Sequence, residues 1–572
     1  KGVLCYRGVT EQSAYPQMKG ITMQGGYGTE TFLLAAISWQ QGARAETFSI
    51  GWIDIAIIVL YLLGTRAIVA YWAGRNKRDS DDYFLGGRKF IWPLIGISLF
   101  ATNQSGASFV GLAGSGYADG IAVYNFEWLA AVALIVFVAF ILPFYLRSEV
   151  FTLPEFLERR YSRSSRLAFS GFALITSMFI DLAVVLYGGA IVIQAITPEI
   201  PLWVLVTGIA LLVGSYTIFG GLEAVVITDT IQGIVLIIGG AIVAILAFMA
   251  IPSWEAVEQA TPPEGLSLIR PIGDDLTPWP GLITGAVIIG FYFWTTNQFI
   301  VQRTLGAKNL DHGRWGSLFA VVLKLPILFL MVLPGTMALV LYPNLENPDL
   351  AFPTLAFDLL PIGLRGLILA ALIAAIMSSA DSMLNAASTL VTMDFVRTFR
   401  PQTTQRALVN IGRVATGLLM LVAIIWAPQI ENFPSLVEYL QSALSYITPP
   451  VVAVFFVGLF WKRANANGAF ATLAVMVPLG IVGFVLNEIV GITEVHFLYM
   501  AFASFVISCA LLAVVSLVTD PPPQEKVEEY AWRREYWQKE TEELKQKPWY
   551  YNYRYLSIGL LVLTAVIVIW WW

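Results

Sequence analysis

The feature that most limits what this chain can fold into is a succession of apolar runs. There are about fourteen, each close to the ~20 residues a helix needs to cross a hydrocarbon layer ~30 Å thick. They extend approximately over 50–73, 91–115, 124–146, 166–195, 202–219, 228–251, 281–301, 316–342, 362–393, 407–428, 436–461, 467–487, 497–519 and 555–572. A spanning segment must satisfy its own backbone hydrogen bonds, because lipid offers none. The runs are therefore read as helices and the chain as an all-α polytopic membrane protein. A mean hydropathy of +0.71 with 13% charged residues is outside the range of soluble globular chains.

Orientation follows from where lysine and arginine fall among the short loops, not from the net charge of −5. Arg75, Lys77, Arg78, Arg88 and Lys89 follow the first run; Arg147, Arg159, Arg160 and Arg163 follow the third. Arg303, Lys308 and Arg314 follow the seventh, Arg397, Arg400 and Arg406 the ninth, Lys462 and Arg463 the eleventh. The alternate loops near 116–123, 196–201, 343–361, 429–435 and 488–496 carry none. With an even number of spans, this alternation puts the basic loops in the cytoplasm and both termini outside.

Two segments fall outside the pattern. Residues 1–47 are rich in Gly, Gln and Thr without periodicity and read as a poorly ordered extension; FLLAAISW followed by ARA weakly suggests a signal peptide but lacks a basic leader. Residues 520–554 open on PPP and continue as VEEYAWRREYWQKETEELKQKPWY, which suits a helix at the cytoplasmic interface with Tyr and Trp at headgroup level, or a solvated helical hairpin. Cys5 and Cys509 imply no disulfide framework or metal site. No dinucleotide fingerprint, phosphate loop or nucleophile elbow stands in a suitable context, and His312 and His496 offer no acid–base pair, so the chain is read as no enzyme, with no cofactor and no nucleic-acid partner.

Charged groups inside spans are costly and mark function. Here they are Glu127, Asp181, Asp229, Lys324 and Asp381, with Asp54 near a span end; four acids against one base favour handling a cation. In AAIMSSADSMLN, Ser378, Asp381, Ser382 and Asn385 share one helix face, with Ala375 and Ser379 on the neighbouring stripe. Such a face offers hard oxygen ligands to an alkali cation; alternatively, the hydroxyls bond back to helix carbonyls and Asp381 pairs with a buried base. The second run, GISLFATNQSGASFVGLAGSGYADG, suits a helix broken at mid-membrane, whose unwound carbonyls coordinate an ion, or simple small-residue packing.

Several segments in order carry a resemblance: FATNQSGASFVGLAGSGYADG, NFEW, TLPEFLERRY, TIFGGLEAVVITDTIQ, NQFIVQRTLGAKN, LKLPILFLMVLPG, AAIMSSADSMLN, VTMDF and AVFFVGLFWKR. From about 48 to 519 the chain resembles the sodium/solute symporter family, especially its bacterial sodium/galactose and sodium/glucose branch. The resemblance implies a leucine-transporter fold, two inverted five-helix repeats over 91–251 and 281–461, each opening on a broken helix. Around this core would lie a peripheral first helix and cytoplasmic loop (48–90), peripheral helices (462–519), the interfacial segment (520–554) and a last transmembrane helix (555–572).

It also implies the sites. A main sodium site would use the carbonyls of Ala101, Gln104 and Ala375 with the hydroxyls of Ser378 and Ser379, sodium being the coupling ion. Relatives that carry sialic acid have a second sodium site, matched here by Ser378, Ser382 and Asp229, with Asp381 where those relatives have Ser. Asn103, Glu127, Lys324 and Gln441 match groups that hydrogen-bond hexose hydroxyls. Departures from the galactose transporter are Ser108 for Gln, Ala130 for Ser, Gly290 for Asn, Asp181 for Asn, and Phe293 for the Tyr that stacks as an inner gate. The expected activity is sodium-coupled symport of a sugar or sugar-like polyol across the bilayer. The rival expectations are another cargo, such as sialic acid, proline or another carboxylate, or a membrane sensor or channel.

Overall fold

In the computed structural model the described residues are 51–73, 85–150, 152–194, 197–216, 222–493 and 495–572; the side chains of Asp381 and Asn385 lie outside the description. The 1–47 extension, the basic residues Arg75, Lys77 and Arg78, and Gly220-Gly221 also fall outside it.

Every regular element among the described residues is helical, apart from two isolated bridges. In chain order we name α1 (Trp52–Ala73), α2 (Trp92–Asn103), α3 (Gly106–Ala118), α4 (Ile121–Arg147), α5 (Arg163–Gln194), α6 (Leu202–Tyr216) and α7 (Leu222–Ala250). There follow α8 (Val287–Thr295), α9 (Gln298–Leu305), α10 (Leu310–Leu341), α11 (Leu364–Thr389) and α12 (Gln405–Trp426). The chain closes with α13 (Leu436–Ile447), α14 (Pro449–Phe460), α15 (Ala466–Phe484), α16 (Phe497–Val518), α17 (Gln524–Tyr530), α18 (Arg534–Lys545) and α19 (Tyr553–Trp570).

Nine helices among the described residues are long and apolar enough to span a membrane. Most other apolar runs fall on shorter or interrupted helices: 91–115 divides into α2 and α3, 281–301 into α8 and the start of α9, and 436–461 into α13 and α14, bent by 54°. Proline accounts for the last bend, since Pro449 and Pro450 cannot donate to the preceding turn.

Close helix crossings bring the interrupted elements together. α2 packs on α10 and α7, and α3 lies against α10, α5 and α11. The small residues of the second run make these crossings possible: a Cβ on Gly116 would stand 2.4 Å from the Val332 carbonyl, and one on Gly106 would stand 2.9 Å from that of Leu372. The two readings of that run therefore coexist, a break at Gln104 followed by packing glycines. Asp54 proves structural: its carboxylate accepts from the amides of Gly363 and Gly366 at 2.7 and 3.0 Å, capping α11 from outside.

The 520–554 segment is held against the bundle. Arg314 and Arg554 reach Glu540 at 2.5 and 2.7 Å, Lys547 reaches Asp311 at 2.6 Å, and Trp537 stacks on Phe140 with centroids 5.4 Å apart. Trp549, Tyr550 and Tyr551, on a short 3-10 turn after α18, are exposed, whereas Tyr530 and Tyr553 are buried in protein.

Candidate functional site

Two breaks build the site. α2 ends where Gln104 leaves the helical region (φ −88°, ψ 65°), and α3 starts at Gly106. α8 ends at Thr295 and α9 starts at Gln298, with the Asn297 side chain accepting from the Phe299 amide at 3.3 Å. Interrupted backbone at membrane depth survives only where protein or a cavity supplies partners. Here Ser108 donates to the Asn103 carbonyl at 2.7 Å and the Tyr145 hydroxyl to that of Thr295 at 3.0 Å.

Between the breaks lies a cavity of about 970 Å³, counting the solvent at its mouth. Asn103, Ser108, Glu127, Asp181, Phe293, Lys324 and Gln441 all line it, drawn from α2, α3, α4, α5, α8, α10 and α13. Lys324 and Glu127 form an ion pair at 2.5 Å, and Lys324 also donates to Asn103. The Lys324 ammonium stands 4.8 Å from the centroid of the Trp294 ring, giving that tryptophan an electrostatic role beyond packing. Gln104 contributes its amide to Glu127 at 2.7 Å. Among the described residues nothing donates to the buried side-chain oxygens of Gln104 and Gln441; Gln441 lines the cavity, so its oxygen can still accept from a ligand. Asp181 enters the cavity at the end of a π turn, Ser177–Asp181, a local widening of the kind common at functional sites.

A second cluster centres on Asp229, in α7. One carboxylate oxygen accepts from Ser98 at 2.9 Å and Thr102 at 3.1 Å, and from Arg303 at 3.2 Å; the other accepts from Ser378 at 2.9 Å. Ser378, expected in both sodium sites, thus bridges from α11 to Asp229, with which it is expected to share the second. Ser379 and Ser382 are buried on α11, and the Ser382 hydroxyl makes no hydrogen bond among the described residues. Ala375 is buried on α11, and Ala101 and Gln104 are buried beside the α2 break. The expectation for Asp381 falls outside the described side chains.

Arg303 corrects the sequence reading. Its place after an apolar run reads as a cytoplasmic loop, leaving Lys324 the one deep base; instead Arg303 is 1% exposed within α9 and paired with Asp229. The available signal was chemical: a buried carboxylate at 229 demands a counter-charge. Arg160 and Arg314 are likewise buried, Arg314 against Glu540. A third acid the sequence left unused, Asp394, pairs with Arg166 and accepts from Ser170 at 2.9 Å.

The model of the sodium:solute symporter family matches residues 83–475, most of the described bundle. The chain belongs to the sodium:solute symporter family. As a member, this symporter couples solute movement to sodium. It is 37% identical over 531 residues to the sodium/myo-inositol cotransporter 2 of Sus scrofa, covering 84% of this chain and 78% of the relative. It is 34% identical over 536 residues to the sodium/glucose cotransporter 1 of Oryctolagus cuniculus, covering 84% and 81%. In fold, the symporter matches a solved structure described as the substrate-bound, outward-open state of a Na+-coupled sialic acid symporter. The TM-score is 0.71 at 23% identity, over 83% of this chain and all of that one.

Proposed function

We propose that this symporter imports a sugar or sugar-like polyol in the cavity between the α2/α3 and α8/α9 breaks. The observation that carries the reading is convergence: Asn103, Ser108, Glu127, Asp181, Phe293, Lys324 and Gln441 lie on seven elements and meet on one cavity. The Lys324–Glu127 pair and the two amides present donors and acceptors side by side, as a hydroxyl that both donates and accepts requires. Phe293 and Trp294 offer apolar faces to a ring. A carboxylate cargo fits less well, because Lys324 is already neutralised by Glu127 at 2.5 Å. The two relatives named for myo-inositol and glucose support the same class of cargo.

Sodium enters this reading as a co-transported ion, held by carbonyls of Ala101, Gln104 and Ala375 with hydroxyls of Ser378 and Ser379. Asp229 stands next to that set through Ser378 and, with Ser382 and Asp381, would hold a second ion. An ion at the α2 break ties α2 to α11 and so favours one relative position of the helices that carry it. Moving one charge through 100 mV supplies about 2.3 kcal/mol, so a second sodium would markedly deepen accumulation. We place fourteen spans in this architecture, arranged as two inverted repeats (91–251 and 281–461). The basic loops face the cytoplasm and both ends lie outside a bacterial inner membrane.

The test is uptake of labelled glucose, galactose and myo-inositol into proteoliposomes under an imposed sodium gradient and under an equal potassium gradient. Sodium-driven accumulation of one of them is expected; accumulation of none overturns the cargo assignment.

A further inference from the structure

Among the described residues, adding up the charges in and beside the cavity leaves one carboxylate over. Glu127 is matched by Lys324 at 2.5 Å, and Asp229 by Arg303 at 3.2 Å. Asp181 has no such partner: among the described residues no cation, amide or hydroxyl reaches it, although it is only 6% exposed and lines the cavity. Lys324, the one basic residue in the cavity wall, is committed to Glu127 and Asn103. Val184 and Val185, which follow Asp181 on α5, and Phe293 also line the cavity and cannot solvate a charge, while the phenols of Tyr292 and Tyr439 lie close enough to feel it.

A wholly neutral cargo would need only an amide or hydroxyl at this position. An unpaired carboxylate is expensive in a low-dielectric wall, and it is relieved by a ligand that brings positive charge with it. An ammonium also supplies several N–H donors, and a carboxylate accepts them more strongly than a neutral oxygen does.

From this we propose that the cargo carries a positively charged nitrogen, as an aminated sugar or aminocyclitol does, and that Asp181 receives it. This deepens the polyol reading and rests on it: Glu127, Lys324 and Gln441 receive hydroxyls, and Asp181 receives the ammonium.

The experiment uses the full chain in proteoliposomes under a sodium gradient at pH 6.5. Glucosamine, whose amine is protonated there, and 2-deoxyglucose, which lacks the group, compete against the labelled polyol that the symporter accumulates. Glucosamine is expected to inhibit at a concentration about tenfold lower than 2-deoxyglucose, a difference of about 1.4 kcal/mol. Asp181→Asn should erase that preference while sodium dependence persists, and Asp181→Glu should keep it. Equal inhibition by the two compounds in the unaltered protein overturns the ammonium assignment and leaves the polyol assignment standing. A preference that survives in Asp181→Asn, or an Asp181→Asn effect confined to the sodium concentration dependence, also overturns it. If the substituted proteins do not reconstitute, the unaltered protein at pH 9 decides, because deprotonating glucosamine must abolish its advantage. Failure of any polyol to accumulate overturns both readings together.

Discussion

Replacing either member of the Asp229–Arg303 pair should damage the protein, but only one replacement should be repaired by sodium. The two groups stand 3.2 Å apart, with side chains 6% and 1% exposed. At an effective dielectric constant of about 20 their attraction is about 5 kcal/mol, and removing one partner of a buried pair typically costs about 3–5 kcal/mol because the other charge is stranded. Arg303→Met strands a carboxylate that still has the hydroxyls of Ser98, Thr102 and Ser378 around it, a set of oxygens a sodium ion can enter. Asp229→Asn strands a guanidinium, which sodium cannot neutralise. Thermal unfolding of the purified protein, followed in sodium chloride and in choline chloride at equal ionic strength, separates the two cases. Both single variants should unfold at lower temperature in choline, and sodium should restore Arg303→Met but not Asp229→Asn. The double variant should lose less stability than the two singles added together, since no charge is left alone. Equal sodium rescue of the two single variants, or additive losses in the double, would refute the reasoning.

Three further outcomes follow from the same geometry. Ser378→Ala removes the hydroxyl that joins α11 to Asp229, and the sodium concentration for half-maximal uptake should rise about tenfold, equivalent to about 1.4 kcal/mol. Gln441→Ala deletes a buried oxygen left without a partner in the protein, so the cargo concentration for half-maximal uptake should rise by a similar factor while sodium binding stays unchanged. Burial tends to raise the Glu540 carboxyl, yet Arg314, Arg554 and Tyr553 together hold it below the usual range. Its contribution is therefore present above the unfolded value of about 4.3 and is lost as pH falls through the lower folded value. Trypsin should accordingly cut near Lys539 and Lys545 faster in Glu540→Gln at neutral pH, and the 520–554 segment of the unaltered protein should resist pepsin until strongly acidic pH.

The helical class was legible because lipid leaves an isolated segment no alternative: a run of about 20 apolar residues must close its own hydrogen bonds. The break in the second run was legible for the same reason, since FATNQSGAS combines small and polar residues that a continuous apolar helix has no use for. The cavity-lining groups could be named from motifs, yet nothing local shows that position 103 meets position 324, or that 127 lies 2.5 Å from that lysine. Arg303 is the clearest case. In the linear sequence it reads as one more loop arginine, and only the packing of α9 beside α2 and α11 brings it to Asp229 as its counter-charge.

What the sequence determined by itself was the solvent this protein lives in, its division into helices, and which side chains would be costly to bury. Those follow from hydropathy and backbone chemistry, which act over tens of residues. Only the tertiary structure decided which buried charges cancel. Coulombic pairing depends on distances of a few ångströms between segments far apart in the chain, and among the described residues it left Glu127 and Asp229 matched and Asp181 alone.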